Sequence, residues 1–275
     1  MKRLFKLTIS LVIWTGDWIV ARIAKLTGPK APASCVVLYY HAIPTDQRHR
    51  FAAQMDLLLR LAKPVAADNQ EPLAAGGHFA AVTFDDGFVS VVANALPELE
   101  SRRIPSTIFV PTGSLGRSPI WIKDPNSAAT RERVLSPEEL KRLAESKTMV
   151  IGSHSVNHVN LVKVDPARAR AELADCKATL EQILGAEVPL FSFPHGAHNP
   201  RLIEEAREIG YRRVFTISPV RAFTSVNEFV TGRVLVDPSD WDLEFTLKTL
   251  GAYRWLPAIS GLKSRLFGGL RWGNN

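Results

Sequence analysis

Short apolar runs and longer amphipathic stretches alternate along most of this chain. Seven runs of four to six residues read as strands: Val36–His41, Phe79–Phe84, Ser106–Val110, Met149–Gly152, Leu190–Phe193, Arg213–Ile217 and Arg233–Val236. Helical spacing fills most of the gaps, over Phe51–Leu61, Val89–Arg103, Pro137–Ser146, Pro166–Leu184 and Pro200–Ile209. Strand followed by helix, repeated, predicts a parallel sheet with helices outside it. Seven such units suggest a barrel near (β/α)7, with a doubly wound sheet as the competing arrangement. With 275 residues, 46% of them hydrophobic, the chain can bury a large core in one α/β domain.

In a parallel α/β architecture reactive groups gather where the strands end. Asp85 and Asp86 close the second run, His154 closes the fourth, Pro194-His195-Gly196 closes the fifth and Asp237 follows the seventh. One rim therefore collects the candidate polar residues. The stretch from Thr112 to Leu135 breaks the rhythm, with Gly113, Gly116, Pro119, Trp121 and Pro125 and no clear period. It reads as a loop on the active rim, with Trp121 either exposed to stack on a sugar or covering the barrel top together with Ile122.

Charge changes the picture at the two ends. Net charge is +7, and residues 1–30 carry six Lys or Arg against Asp17, a balance of +5. Residues 248–275 carry five basic residues and no acid, so the remaining body is at −3. A nucleic-acid binder would carry its basic patch on the folded body, so nucleic acid is not expected as a partner and the termini are better matched to an anionic membrane surface. The apolar run Leu7–Trp14 is read as too short and too interrupted to span a bilayer. Leu4, Leu7, Leu11, Trp14 and Trp18 recur at helical spacing, leaving an interfacial or signal-anchor segment, a cleaved signal or an ordinary packing helix as readings. Trp255, Ile259, Leu262, Leu266 and Leu270 repeat the theme at the other end, where a tail packed on the body is the alternative. This divides the chain into a basic segment 1–30, a body 31–247 and a basic tail 248–275. Cys35 and Cys176 read as buried small apolar residues.

The chemistry is carried by two clusters, Thr83-Phe84-Asp85-Asp86-Gly87 and His154-Ser155-Val156-Asn157-His158. Imidazoles at i and i+4 can meet at one ion, in a helical turn or a tight loop, and imidazole suits zinc, cobalt, nickel or iron. With Asp86 as third ligand the set is two His and one carboxylate, the donor pattern of a catalytic site with an open position. Adjacent carboxylates in extended backbone point to opposite sides. One can therefore bind metal while the other stands free as a general base.

These two motifs resemble those of polysaccharide deacetylases of the NodB-homology type, carbohydrate esterase family four. The similarity covers roughly residues 36–240, and it implies a distorted (β/α)7 barrel with Asp85 as base and Asp86, His154 and His158 as ligands of a divalent metal, zinc first. Ser192-Phe193-Pro194-His195-Gly196 is closest to the poly-N-acetylglucosamine deacetylase branch, as are Leu38–Ile43 and Gly232-Arg233-Val234. The resemblance puts His195 at the oxyanion, with Pro194 beside the substrate. It also leaves the family's third-motif Arg absent, with Arg233 as a replacement or a structural residue. The late-strand His that acts as general acid is not found either, and His195 is the first candidate for that role, ahead of His198.

The expected activity is removal of N-acetyl groups from a polysaccharide or lipid-linked sugar, with Trp121, Arg233 and Pro194 as substrate-binding residues. An O-acetyl esterase on the same fold and a catalytically lapsed carbohydrate-binding protein are the alternatives. The expected location is membrane-associated or extracytoplasmic, with the cytoplasmic face of the membrane as the alternative.

Overall fold

Continuous apolar strands need cover on both faces, and that requirement shapes the molecule. The computed structural model describes residues 2–28, 32–123 and 128–258. In chain order its elements are α1 (Lys2–Thr27), β1 (Ser34–Tyr40), α2 (Arg48–Leu61), β2 (Lys63–Pro64), β3 (His78–Phe84), α3 (Leu96–Arg102), β4 (Ser106–Val110), α4 (Pro137–Leu143), β5 (Met149–Ser153), α5 (Pro166–Leu184), β6 (Leu190–Ser192), α6 (Pro200–Glu208), β7 (Arg213–Phe215), β8 (Val230–Thr231), β9 (Val234–Leu235) and α7 (Asp242–Thr249). All strand pairs are parallel, in the order β8-β7-β6-β5-β4-β3-β1-β9, with β2 on β3 as a branch.

The expected barrel is the observed one, and the way it closes is unexpected. Residues 233–236 were expected as one strand. Instead β8 pairs with β7 and β9 pairs with β1, at opposite edges of the curled sheet. Gly232 and Arg233 alone connect them, so the seam is crossed by the chain itself. A Cβ on Gly232 would meet the Ser218 carbonyl oxygen at 2.2 Å, so only glycine fits there.

Three helices begin on signals legible in the sequence. Ser136, Asp165 and Asn199 each accept a backbone N–H with the side chain, and Pro137, Pro166 and Pro200 follow them. The stretch expected as one helix over Val89–Arg103 is a wide π turn over Val91–Ala95 followed by α3, where Pro97 lacks the N–H that would continue an α ladder.

Period two along the strands sorts side chains into two cores. Val36, Leu38 and Tyr40 face outward to the helices, while Cys35 and Val37 face inward with Ala81, Phe109 and Phe215. Both cysteines are buried and unpaired. Leu115, Trp121 and Ile122 pack partly buried against the outer core, so the 112–135 insertion covers the barrel rather than standing free.

The amino-terminal segment corrects its reading. α1 is continuous through Thr15-Gly16-Asp17, and Arg3–Ile23 is long and apolar enough to cross a membrane by length and composition. The interruption does not break the helix, because the Thr15 hydroxyl bonds the Leu11 carbonyl at 2.8 Å and Asp17 turns toward Arg254. Of the proposed carboxy-terminal repeat only Trp255 belongs to the described residues; Ile259, Leu262, Leu266 and Leu270 lie outside them.

Candidate active site

Asp85 and Asp86 follow β3, and the backbone separates them at once. Asp85 N–H bonds the Tyr40 carbonyl at 2.9 Å, extending the β1–β3 ladder, and the side chain stays inside the barrel. Asp86 then takes a left-handed conformation, φ 72°, followed by Gly87 at φ 62°, where a Cβ would meet Val110 Cγ1 at 3.0 Å. Among the described residues six non-glycines have positive φ, and four of them are Asp86, Ser155, His158 and His195. Strain of this kind, concentrated on one rim, marks a site that the surrounding packing holds in shape.

Asp85 meets Arg233. The two guanidinium nitrogens Nη1 and Nη2 donate to Oδ1 and Oδ2, both at 2.8 Å, in a bidentate pair. The remaining donors reach Ser192 Oγ at 2.7 Å, Thr83 Oγ1 at 3.2 Å and the Thr216 carbonyl at 3.2 Å, so all five N–H groups are used. The guanidinium lies against the Tyr39, Phe109 and Phe215 rings, 4.6, 5.4 and 5.8 Å from their centroids. Burial alone would raise the Asp85 carboxyl, yet Arg233, with His154 and His41 nearby, holds it well below the usual carboxylate range. It is therefore ionised at any physiological pH.

His154 and His158 flank a tight loop after β5, not a helical turn. His154 Nδ1–H donates to the Ser192 carbonyl at 2.7 Å, which leaves Nε2 with its lone pair turned to the centre. Glu172 of α5, itself buried, accepts from Asn157 N at 2.7 Å and Asn157 Nδ2 at 2.8 Å, fixing the loop between the two imidazoles. The Ser155 hydroxyl accepts the His158 N–H at 3.0 Å. Burial drives the His154 imidazole down to about 4, so it is neutral and free to bind a cation.

Asp86 Oδ1 lies 3.2 Å from His158 Nε2 and 3.7 Å from His154 Nε2, and the ligand atoms of these three buried residues all fall within 4.8 Å of one another. Oδ1 is buried without a hydrogen-bond partner. A buried carboxylate oxygen left so, facing two imidazole nitrogens, has the surroundings that a bound cation would satisfy. The donor set of two nitrogens and one oxygen suits zinc or a neighbouring first-row ion.

The other expected site residues are placed as follows. Arg233, expected at the substrate, is wholly buried beneath Asp85 and has no face for a sugar. Pro194 is also buried. Trp121 is not free to stack on a sugar with both faces: its ring stacks on His158 at 4.7 Å and on Phe88 at 6.5 Å. His195 sits at φ 58° on the rim with its exposed ring edge-on to His158, centroids 4.7 Å apart. Burial and the neighbouring His158 lower the His195 imidazole. His198 bonds the Gly196 carbonyl at 2.8 Å and Asp237 caps a local turn through Ser239, so neither joins the cluster.

Two contributors escaped the sequence reading. His41 is the residue after β1 and is exposed beside Tyr39, where it acts electrostatically on both Asp85 and Asp86. It follows the register of β1 on β3, Tyr40 opposite Phe84, a pairing that only the fold reveals. Ser192 ties the halves of the site together, its carbonyl holding His154 and its hydroxyl holding Arg233.

The polysaccharide deacetylase family model matches residues 74–214, more than half of the chain and both motifs. The chain belongs to the polysaccharide deacetylase family. Its similarity to YxkH of Bacillus subtilis, a protein named as a polysaccharide deacetylase, is 26% identity over 157 residues, 57% of this chain and 51% of that one, so the match spans about half the length of that relative. IcaB from Ammonifex degensii superposes with TM-score 0.63 at 27% identity, over 82% of this chain and 99% of the other. The Streptococcus pyogenes deacetylase PplD, solved in complex with acetate, shares the fold at TM-score 0.63 and 19% identity, over 80% of this chain and 99% of the other.

Proposed function

We propose that this polysaccharide deacetylase hydrolyses the acetamide of an N-acetylated sugar, releasing acetate and a free amine. The observation that carries the reading is the division of labour between adjacent carboxylates: Asp85 is held ionised by Arg233, and Asp86 faces His154 and His158 with an unsatisfied oxygen. A divalent ion held by Asp86, His154 and His158, with zinc first, would supply Lewis acidity to the water and the carbonyl.

The chain's own groups account for the rest. Asp85 accepts the proton of the attacking water, whose oxygen bonds the acetyl carbon. Arg233 and Ser192 keep the Asp85 carboxylate in one orientation, so Arg233 acts as a positioning residue. The His195 backbone N–H, at the head of a strained turn, holds the oxyanion. As the C–N bond breaks, the departing nitrogen takes a proton from His41, which is exposed on the rim and in electrostatic reach of both carboxylates. His195, packed edge-on to His158, is the second candidate donor. The substrate class is an N-acetylated polysaccharide or lipid-linked glycan outside the cytoplasm, with the open rim as its entry.

Acetate release from N-acetylglucosamine oligomers tests this, using protein stripped of metal and reloaded with zinc or cobalt. The expected outcome is metal-dependent release that Asp85→Asn abolishes and His41→Ala reduces by about a hundredfold. Release from O-acetyl sugars only would replace the amide reading with an esterase.

A further inference from the structure

A helix packed on a folded body ordinarily turns its apolar side inward and its polar side to water. α1 has this polarity inverted. Arg3, Leu7, Ser10, Trp14 and Asp17, spaced four, three, four and three apart, form the stripe that faces the body. Arg3 Nε pairs with Glu244 Oε2 at 2.6 Å and its guanidinium lies 4.3 Å from the Trp241 ring. Trp255 Nε1 donates to Ser10 Oγ at 2.9 Å, and Arg254 Nη2 pairs with Asp17 Oδ1 at 2.7 Å. Leu7 and Trp14 complete the contact against the outer core. On the opposite stripe Phe5, Val12, Ile19 and Ile23 are 62, 67, 46 and 56% exposed.

We propose that α1 is an in-plane membrane helix that stays docked on the body and lays its outer stripe into the headgroup boundary of an anionic leaflet. Charge favours this occupant over a second copy of the chain. Residues 1–30 hold six basic residues and one acid; Arg3 and Asp17 both turn inward, to Glu244 and Arg254, while Lys6 and Arg22 remain exposed on α1. A partner copy would meet the same basic surface, whereas anionic lipid complements it. A spanning orientation is long enough but costly in contacts. It would carry Arg3, Ser10 and Asp17 away from the body and leave Glu244 with Lys248 as its remaining counterion.

The docking also fixes how the active site is presented. α7 begins just after β9, on the rim side, and Arg3 meets Glu244 near its start, while Asp17 meets Arg254 beyond its end. α1 therefore runs alongside α7 from the rim downward. A leaflet against α1 lies along the barrel, so the rim opens sideways over the membrane surface. At the start of α7, Trp241 and Leu243 are themselves 47 and 46% exposed.

The test uses the full chain and is independent of its chemistry. Single cysteines replace Val12, Ile19 and Ile23 in separate variants and carry an environment-sensitive fluorophore; Cys35 and Cys176, both buried, stay unlabelled. Quenching by brominated lipids in phosphatidylglycerol vesicles should place all three labels at one shallow depth. Phosphatidylcholine vesicles should shift none of them. Val12→Glu with Ile19→Glu should weaken vesicle binding by about tenfold or more, with an unchanged thermal unfolding curve. Depths graded across the bilayer would overturn the in-plane orientation in favour of a span. Labels unshifted by anionic vesicles, or buried in a concentration-dependent dimer without lipid, would overturn the membrane surface itself.

Discussion

The two halves of the active site are built on opposite principles. On the Asp85 side every donor of Arg233 is used and the carboxylate receives two charge-assisted hydrogen bonds, so charge is balanced within the chain. On the Asp86 side the carboxylate oxygen and His158 Nδ1 are buried without partners. The residues differ by one position in sequence and share the same strand end. Their difference shows how one chain can balance the charge of one carboxylate internally and leave its neighbour with an oxygen that no protein donor satisfies.

The largest effect should come from unbalancing the satisfied half. Arg233→Met leaves Asp85 as a buried charge without a partner and is expected to cost about 3 to 5 kcal/mol in urea unfolding. Adding Asp85→Asn should return much of that loss, because the remaining amide carries no charge. A loss unrelieved by the double substitution would mean that Arg233 matters by packing alone.

The unsatisfied half should respond in the opposite sense. Zinc at a hundredfold excess over its Kd should stabilise the protein by about 2.7 kcal/mol, read as a rise in Tm. Asp86→Ala should erase the rise. A wild-type Tm indifferent to zinc, cobalt and nickel would remove the reason for the unpaired oxygen.

A smaller effect sharpens the same contrast. Glu172→Gln keeps the shape but loses the charge that holds Asn157, and it should cost about 1 kcal/mol while weakening zinc affinity more than it changes the fold. Equal binding in both proteins would show that the loop holds His154 and His158 without Glu172.

The smallest effect is a surface counterpart of the Asp85 pair. The Arg133 guanidinium, bonded to Glu139 at 2.7 Å through two nitrogens, lowers that carboxyl to about 2. A depressed carboxylate adds stability above its unfolded pKa near 4.5, and the contribution fades as pH falls toward 2. Glu139→Gln should therefore flatten the stability profile between those values, by a modest amount because the pair is only half-buried and screened by solvent. An identical profile in both proteins would deny the pair any role.

The residues of the candidate site were legible because the chemistry proposed for them demands fixed residue types at short spacing, as with His154 and His158. Helix starts were legible where Ser136, Asp165 and Asn199 precede proline. Arg233 was legible only as a replacement for the missing third-motif Arg or as a structural residue, since its partner Asp85 lies 148 residues away and only the curl of the sheet brings them together. The seam that delivers Arg233 was hidden for the same reason: β8 and β9 pair with opposite edges while adjacent in the chain. His41 does not stand out within Leu38–Ile43, because the register that sets β1 against β3 cannot be read from either strand alone. Trp121 was weighed between solvent and barrel top, and its stacking on His158 decides for the barrel. α1 was underestimated because Asp17 reads as a break until Arg254 supplies its partner.

The division between Asp85 and Asp86 is tested most directly by zinc titration calorimetry on wild type, Asp85→Asn and Asp86→Asn, each followed by acetate release from N-acetylglucosamine oligomers. The account predicts one ion bound by wild type and by Asp85→Asn, with acetate released by wild type alone, and little or no zinc bound by Asp86→Asn. Loss of zinc from Asp85→Asn, or acetate release by that variant, would contradict it.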